Sequence, residues 1–221
     1  MLIPHLVRAA LVPVSRLAFR PTIEGLAHLP TDGPVIVAAN HISALDSFLI
    51  PLVSPRPVFF LAKEEYFTGS GPLGALTRTA ISGLGAIPVP RGGHRAAQAA
   101  LEASLAVLKD GRAFGIHPEG TRSRDGRLYR GRTGVAWLAM ASGAPVVPAA
   151  LIGTDRVHPV GTLIPRPGKV TVRFGEPLHF PQPAGSAAKA RREATDQIMD
   201  AIAALSGQDR ADTYNEVSTS D

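Results

Sequence analysis

The chain has 221 residues, enough for one domain with a sizeable core and too few to argue for two. Hydrophobic residues make up 45% and aromatics only 5%, so the core must be aliphatic and alanine-rich; with no cysteine there is no disulfide framework, thiolate metal site or cysteine nucleophile. The net charge of +5 favours an anionic partner, either a phosphorylated substrate or a membrane surface. Nucleic acid is disfavoured, because the aromatic residues are not interleaved with basic ones as a base-stacking surface requires.

Residues 1–20 predict an amphipathic helix. On a helical wheel His5, Arg8, Arg16 and Arg20 share a sector of about 120°. Ile3, Leu6, Val7, Leu11, Val14 and Leu17 lie mostly opposite, and Pro13 should kink or split the helix. Such a segment either lies in the interface of an anionic membrane or covers the domain's own core. Charges interrupt the apolar stretch, so it reads poorly as a signal peptide.

Val35–Ala39 is an apolar run that reads as a buried strand. It leads into Asn40-His41-Ile42-Ser43-Ala44-Leu45-Asp46, and residues 47–53 then read as a short helix. His41 and Asp46, five residues apart, would diverge by about 140° on one regular helix. They can meet only where the backbone turns, as at a strand end followed by a helical turn. There the carboxylate could take one ring nitrogen and leave the other as a general base. The plainer alternative is a capping box, with Ser43 as N-cap and Asp46 at N3.

A second strand at 57–62 ends at Lys63, and a third at 86–89 ends just before Arg91. His94 to Lys109 carries Ala97, Ala100, Leu101, Leu105 and Leu108 on one helical face, with Gly111 suited to end it. A strand at 113–116 runs into His117-Pro118-Glu119-Gly120-Thr121-Arg122-Ser123. From Arg78 to Arg132 ten basic side chains face four acidic ones, several of them just beyond strand ends, where open α/β sheets bind ligands.

Between Arg132 and Asp155 lie 22 uncharged residues. Gly143, Pro145 and Pro148 argue against a membrane span and for a buried helix at 135–141 and a buried strand at 146–151. A last strand at 170–174 and a helix at 186–205 complete the pattern, with Ile198, Met199, Ile202 and Leu205 facing inward. Alternating strands and helices predict an α/β fold: a single domain with a mostly parallel central sheet flanked by helices and a site at the strand ends. The division expected is residues 1–20 as a membrane-associating segment, 21–205 as the domain, and 206–221 as a disordered tail.

Taken in order, Asn40-His41-x4-Asp46, the strand-end Arg91, Pro118-Glu119-Gly120-Thr121-Arg122-Ser123 and Val146-Val147-Pro148 resemble the four blocks of the glycerolipid acyltransferases, of the lysophosphatidic acid acyltransferase type. The likeness runs over about residues 22 to 180, ending with Phe174-Gly175-Glu176-Pro177. It departs at His117, where a phenylalanine is usual, and at Pro88 and Pro90.

The resemblance implies acyl transfer from acyl-CoA or acyl carrier protein to the sn-2 hydroxyl of 1-acylglycerol-3-phosphate. His41 would be the general base and Asp46 its orienter. Arg91, Lys63 and the Glu119-Gly120-Thr121-Arg122 block would bind the acceptor, with Glu119 positioning an arginine or accepting from a glycerol hydroxyl. No metal or cofactor is implied. No covalent acyl-enzyme is expected either, which fits the lack of cysteine and of a G-x-S-x-G elbow. The partners expected are the thioester donor, the lysolipid and an anionic membrane, met peripherally at its cytoplasmic face. The alternatives are a family member with another lysolipid or glycolipid acceptor, a non-catalytic anionic-lipid binding module, and a metal-dependent hydrolase built on His41, Asp46, His117 and Glu119.

Overall fold

The computed structural model describes residues 2–89, 93–162, 164–182 and 185–216. Among these, seven strands form one sheet in the order β1-β7-β6-β2-β5-β3-β4. The strands are β1 (Thr22–Glu24), β2 (Val35–Ala39), β3 (Val58–Lys63), β4 (Ala86–Val89), β5 (Ala113–Ile116), β6 (Val146–Ile152) and β7 (Thr171–Phe174). All neighbouring pairs are parallel except β6 and β7. The predicted α/β fold is therefore correct, with one antiparallel step near an edge.

β2 lies at the centre between β6 and β5, and all five of its residues are buried. A strand covered on both faces must be apolar throughout, and alternate residues supply opposite cores. Val35, Val37 and Ala39 join Leu49, Val147, Leu151 and Val172 on one face. Ile36 and Ala38 join Phe114, Leu138, Ile198 and Ile202 on the other. The helices are α1 (Leu2–Phe19), α2 (Asp46–Val53), α3 (Gly71–Gly83), α4 (Gly93–Lys109), α5 (Gly134–Ser142), α6 (Thr154–Val157) and α7 (Ala187–Ser206). The uncharged stretch from 133 to 154 is thus α5 followed by β6, both interior. No helix among the described residues is long and apolar enough to cross a membrane.

α1 departs from its sequence reading. It continues through Pro13 as one helix. Its inner face is part of the domain: Val7, Leu11 and Val12 pack against the cluster of Phe60, Ile81 and Leu84. Arg8 turns inward too, donating to the carbonyls of Ser54 (2.6 Å) and Arg56 (3.0 Å). The outer face is still apolar, with Leu6, Val14 and Leu17 more than 60% exposed, as is Leu76 of α3. One face of the helix thus covers the domain's core, as one of the two readings expected, and the other leaves apolar side chains exposed.

Where β2 ends, Asn40 continues its ladder by side chain. The backbone pairing of β2 with β6 runs to Ala39 opposite Ala149. Asn40 Oδ1 then accepts the Leu151 N–H (2.7 Å), and Nδ2 donates to the Leu151 carbonyl (3.0 Å) and to Gln208 Oε1 (2.7 Å). The main chain is thereby freed to turn away at His41 while the sheet edge stays satisfied. Asn40→Ala strands both buried backbone groups of Leu151, so it should cost about 2–4 kcal/mol. Urea denaturation checks this as a lower midpoint with an unchanged m-value.

Candidate active site

Parallel pairing puts the C-terminal ends of β2, β5 and β3 at one edge, and His41, His117 and Lys63 stand there. They line a cleft of about 660 Å³. Sheets of this type bind ligands at such an edge, beside the strand where the order of connection reverses. Here that strand is β2.

His41 and Asp46 meet as the spacing predicts. His41 Nδ1 lies 3.1 Å from Asp46 Oδ2. A carboxylate oxygen only accepts, so Nδ1 carries the proton and Nε2 is left as the basic nitrogen. The same Oδ2 accepts the N–H groups of Ile42 and Ser43, each at 2.7 Å. Ser43 Oγ in turn accepts the Leu45 N–H at 3.2 Å. The predicted capping box is not formed as such: the Ser43 hydroxyl takes the Leu45 N–H and not that of Asp46, and α2 begins at Asp46, so only the Asp46-to-Ser43 half of the box is made. Closing this turn and orienting the imidazole are one arrangement. The position of the fully buried Asp46 is fixed through Oδ2 by the backbone of the turn.

His117 stacks on His41, with ring centroids 4.0 Å apart and planes 9° from parallel. Its Nδ1 faces the carbonyls of Ala39 (3.1 Å) and Asn40 (3.0 Å), so Nδ1 is the donor. Its Nε2 then accepts from the Ser47 hydroxyl at 3.1 Å. Burial, followed by repulsion from the neighbouring His41, pushes the His117 imidazole down to about 3. His117 is therefore a neutral plate against His41, with its tautomer fixed at both ends.

Glu119 is not a cleft residue. It is fully buried and spends both oxygens on backbone: Oε1 accepts the His41 N–H and Oε2 the Tyr129 N–H, each at 2.9 Å. Burial pushes its carboxyl up to about 7, against the pull of these two donors. The expectation that Glu119 touches substrate or an arginine gives way to a strut under His41. A second strut runs from the Ser123 N–H to the His41 carbonyl at 2.7 Å.

Gly120, Thr121 and Arg122 do line the cleft with Lys63, as the sequence predicts. Arg91 lies outside the described residues. Arg132 lines the cleft and went unnoticed in the sequence. It reaches the site because its N–H donates to the Pro118 carbonyl (2.8 Å), which folds the loop from 117 to 132 back on itself. Gly120 has φ +79, and a Cβ there would stand 2.8 Å from the Arg132 side chain. No sequence window of helix or strand length could pair those two positions.

The apolar part of the lining is Phe48, Phe60, Leu61, Ala97, Ala100 and Leu101. Among the described residues no three His, Asp or Glu side chains are arranged to hold a metal ion.

Comparison with known proteins gives the family. The family model described as Acyltransferase matches residues 20–152. This chain belongs to the acyltransferase family. The chloroplastic 1-acyl-sn-glycerol-3-phosphate acyltransferase LPAT1 of Arabidopsis thaliana is 33% identical over 163 residues, 73% of this chain and 44% of the relative. The 1-acyl-sn-glycerol-3-phosphate acyltransferase of Bacillus subtilis is 30% identical over 154 residues, covering 69% of this chain and 70% of the relative. The chain spans about half the length of the plant relatives it matches. The crystal structure of the 1-acyl-sn-glycerophosphate acyltransferase PlsC from Thermotoga maritima is 28% identical, with a TM-score of 0.69 over 92% of this chain and 76% of that one.

The depressed His117 makes a pH prediction for this acyltransferase-family fold. In the unfolded chain the imidazole takes up a proton as pH falls through about 6.5, whereas in the fold it stays neutral down to about 3. Its contribution is thus fully present above 6.5 and is lost as pH falls. His117→Phe should remove this one-proton dependence, flattening the decline of stability between pH 6.5 and 4.5 by about 1.4 kcal/mol per pH unit. Urea denaturation at pH 7, 6 and 5 measures the two slopes, and equal slopes in variant and parent would reject the assignment.

Proposed function

We propose that this chain transfers an acyl group from a thioester donor to the sn-2 hydroxyl of 1-acylglycerol-3-phosphate, giving phosphatidic acid. One observation carries the reading: the His41–Asp46 pair stands in a cleft whose lining combines the basic groups Lys63, Arg122 and Arg132 with apolar side chains such as Phe48, Leu61 and Leu101. Such a lining suits an amphiphile with an anionic head. The names of the relatives support the same acceptor.

The chemistry follows from the orientation of His41. Nε2 takes the proton of the acceptor hydroxyl as its oxygen attacks the thioester carbonyl. The imidazolium that forms is stabilised by Asp46 and faces a neutral His117, which adds no repulsion. Collapse of the tetrahedral intermediate breaks the C–S bond. The departing thiolate takes the proton from Nε2, leaving an ester and a free thiol with His41 restored. The balance closes with the two substrates alone, so no cofactor and no covalent acyl-enzyme is required. Acyl-CoA and acyl carrier protein both supply such a thioester.

His41→Ala should lower kcat by roughly two to four orders of magnitude, the usual worth of a positioned general base. The assay is a panel of lysolipid acceptors with one labelled acyl-CoA, read by mass spectrometry. Near-parental turnover in a folded His41→Ala chain would sink the mechanism. Efficient transfer only to uncharged or glycolipid acceptors would sink the choice of acceptor.

Both substrates partition into bilayers, so we also propose peripheral binding at the cytoplasmic leaflet through the outer face of α1. Leu6, Val14 and Leu17 would enter the interface beside the exposed Arg16 and Arg20. Arg8 and Leu11 are engaged by the domain and take no part. A Leu6/Val14/Leu17→Ser chain should keep its melting temperature and lose co-sedimentation with anionic vesicles. Undiminished vesicle binding would reject the anchor.

A further inference from the structure

We propose that Tyr214 and Asn215 are positioning residues that hold Arg132 at the cleft as a ligand for the acceptor's anionic head without neutralising it. The proposal rests on the reading above that the acceptor phosphate meets Arg122 and Arg132.

The segment from 208 to 216 follows α7 and lies well beyond residues 20–152 of the family match. Its composition predicts disorder. The structure instead straps it along the loop that carries the basic residues. The Leu128 N–H donates to the Asp209 carbonyl and the Ala211 N–H to the Leu128 carbonyl, both at 2.9 Å, and the Arg130 N–H to the Thr213 carbonyl at 3.0 Å. Gln208 begins the strap by linking Asn40 to the Gly126 carbonyl. Polar residues are ordered here because backbone groups on both sides satisfy each other, which composition does not reveal.

The strap ends at the arginines. The Tyr214 ring lies 5.3 Å from the Arg130 guanidinium and 5.6 Å from that of Arg132. Arg132 Nη2 donates to the Asn215 carbonyl at 3.2 Å. Asn215 Nδ2 donates back to the Arg122 carbonyl at 3.1 Å, at the tip of the cleft-lining loop. Tyr214 is itself fixed by Arg192, whose Nη1 donates to its hydroxyl at 3.2 Å and to the Gly131 carbonyl at 2.8 Å. The Asp196 carboxylate pairs with Arg192.

Among the described residues, every partner that fixes Arg132 is therefore neutral: an aromatic face, a main-chain carbonyl, and the backbone of its own loop. A carboxylate would fix the guanidinium more tightly and cancel the charge that a phosphate needs. A ring and a carbonyl orient it through cation–π and hydrogen-bond attraction and leave the net charge to the substrate. Such an arrangement is a pre-organised anion site, and its loss should appear in acceptor affinity and not in the chemical step.

The test is steady-state kinetics on the full chain with 1-oleoylglycerol 3-phosphate and oleoyl-CoA. Tyr214→Leu should raise the acceptor KM about 5- to 30-fold while kcat and the donor KM stay within about twofold. Tyr214→Phe keeps the ring and should retain the parental acceptor KM. Arg132→Ala should raise the acceptor KM on its own, and adding Tyr214→Leu to it should raise it no further. Asn215→Ala should give the same split at smaller size, and it replaces the leucine variant if that chain does not fold. An unchanged acceptor KM in Tyr214→Leu, or a joint shift of kcat and both KM values with a lowered melting temperature, overturns the positioning role. A full Tyr214→Leu effect persisting in the Arg132→Ala background overturns it too. Wild-type acceptor KM in Arg132→Ala, or no transfer to this acceptor by the parent chain, overturns the underlying reading and the proposal together. A raised KM in Arg132→Ala with none in Tyr214→Leu overturns the proposal alone.

Discussion

The site depends on two hydrogen bonds to the main chain of one residue. His41 gives its N–H to the buried Glu119 carboxyl and receives the Ser123 N–H at its carbonyl. Two sequence blocks some eighty positions apart are thereby fixed to each other at the backbone, before any side chain is placed. Because the His41 peptide is held on both sides, its imidazole needs only one further contact, with Asp46, to have a defined direction. A peptide free to rotate would let the ring swing away, and misplacement by an ångström is costly to a proton transfer.

The interior polar groups fit one economy. Asp46, Glu119 and Asn40 are all fully buried, and each would carry a heavy desolvation cost alone. Each instead satisfies backbone groups left open at the turn after β2, in the loop after β5 or on the neighbouring β6. Asp46 takes the N–H groups of Ile42 and Ser43, Glu119 takes those of His41 and Tyr129, and Asn40 takes both groups of Leu151. A parallel sheet ends at its C-terminal edge in unpaired N–H and C=O groups, and these three side chains are how this chain closes that edge. The geometry of the candidate site arises from the same bonds that finish the fold.

Much of this was legible in the sequence, for stated reasons. The buried strands showed as short apolar runs, and α4 and α7 as apolar residues at three- and four-residue spacing, because burial leaves a periodic trace. His41 and Asp46 could be paired because a single turn joins them. β1 is only three residues long and half exposed, so it left no such trace. Glu119 read as a substrate ligand since its block is charged, but a carboxylate that accepts only backbone N–H groups has no sequence signature. Arg132 and the strap from 208 to 216 escaped for a related reason: they are defined by tertiary contacts between polar residues with no period. The likeness to a family brought forward the function, and it did so through blocks at strand ends. It was silent on the strap, which lies outside those blocks.

On the proposed reading, selectivity depends on where the substrates reside. An acyl chain moving from water to an apolar wall would gain about 0.8 kcal/mol per methylene. A lysolipid in a bilayer has already made that gain, so moving its chain from lipid to the wall of Phe60, Leu61 and Leu101 exchanges one apolar environment for another. The chain contributes little net affinity and poor discrimination between lipids that share it. Discrimination must come from the head group, where a charged hydrogen bond is worth about 1.5–3 kcal/mol and an unpaired charge is penalised by a similar amount. On the proposed reading that task falls to Lys63, Arg122 and Arg132. It is best performed by cations held in place yet left unneutralised, as the aromatic ring and carbonyl beside Arg132 leave it. If α1 anchors the chain as proposed, its outer face keeps the cleft at the surface where the chains already lie, so that only the head group must be chosen.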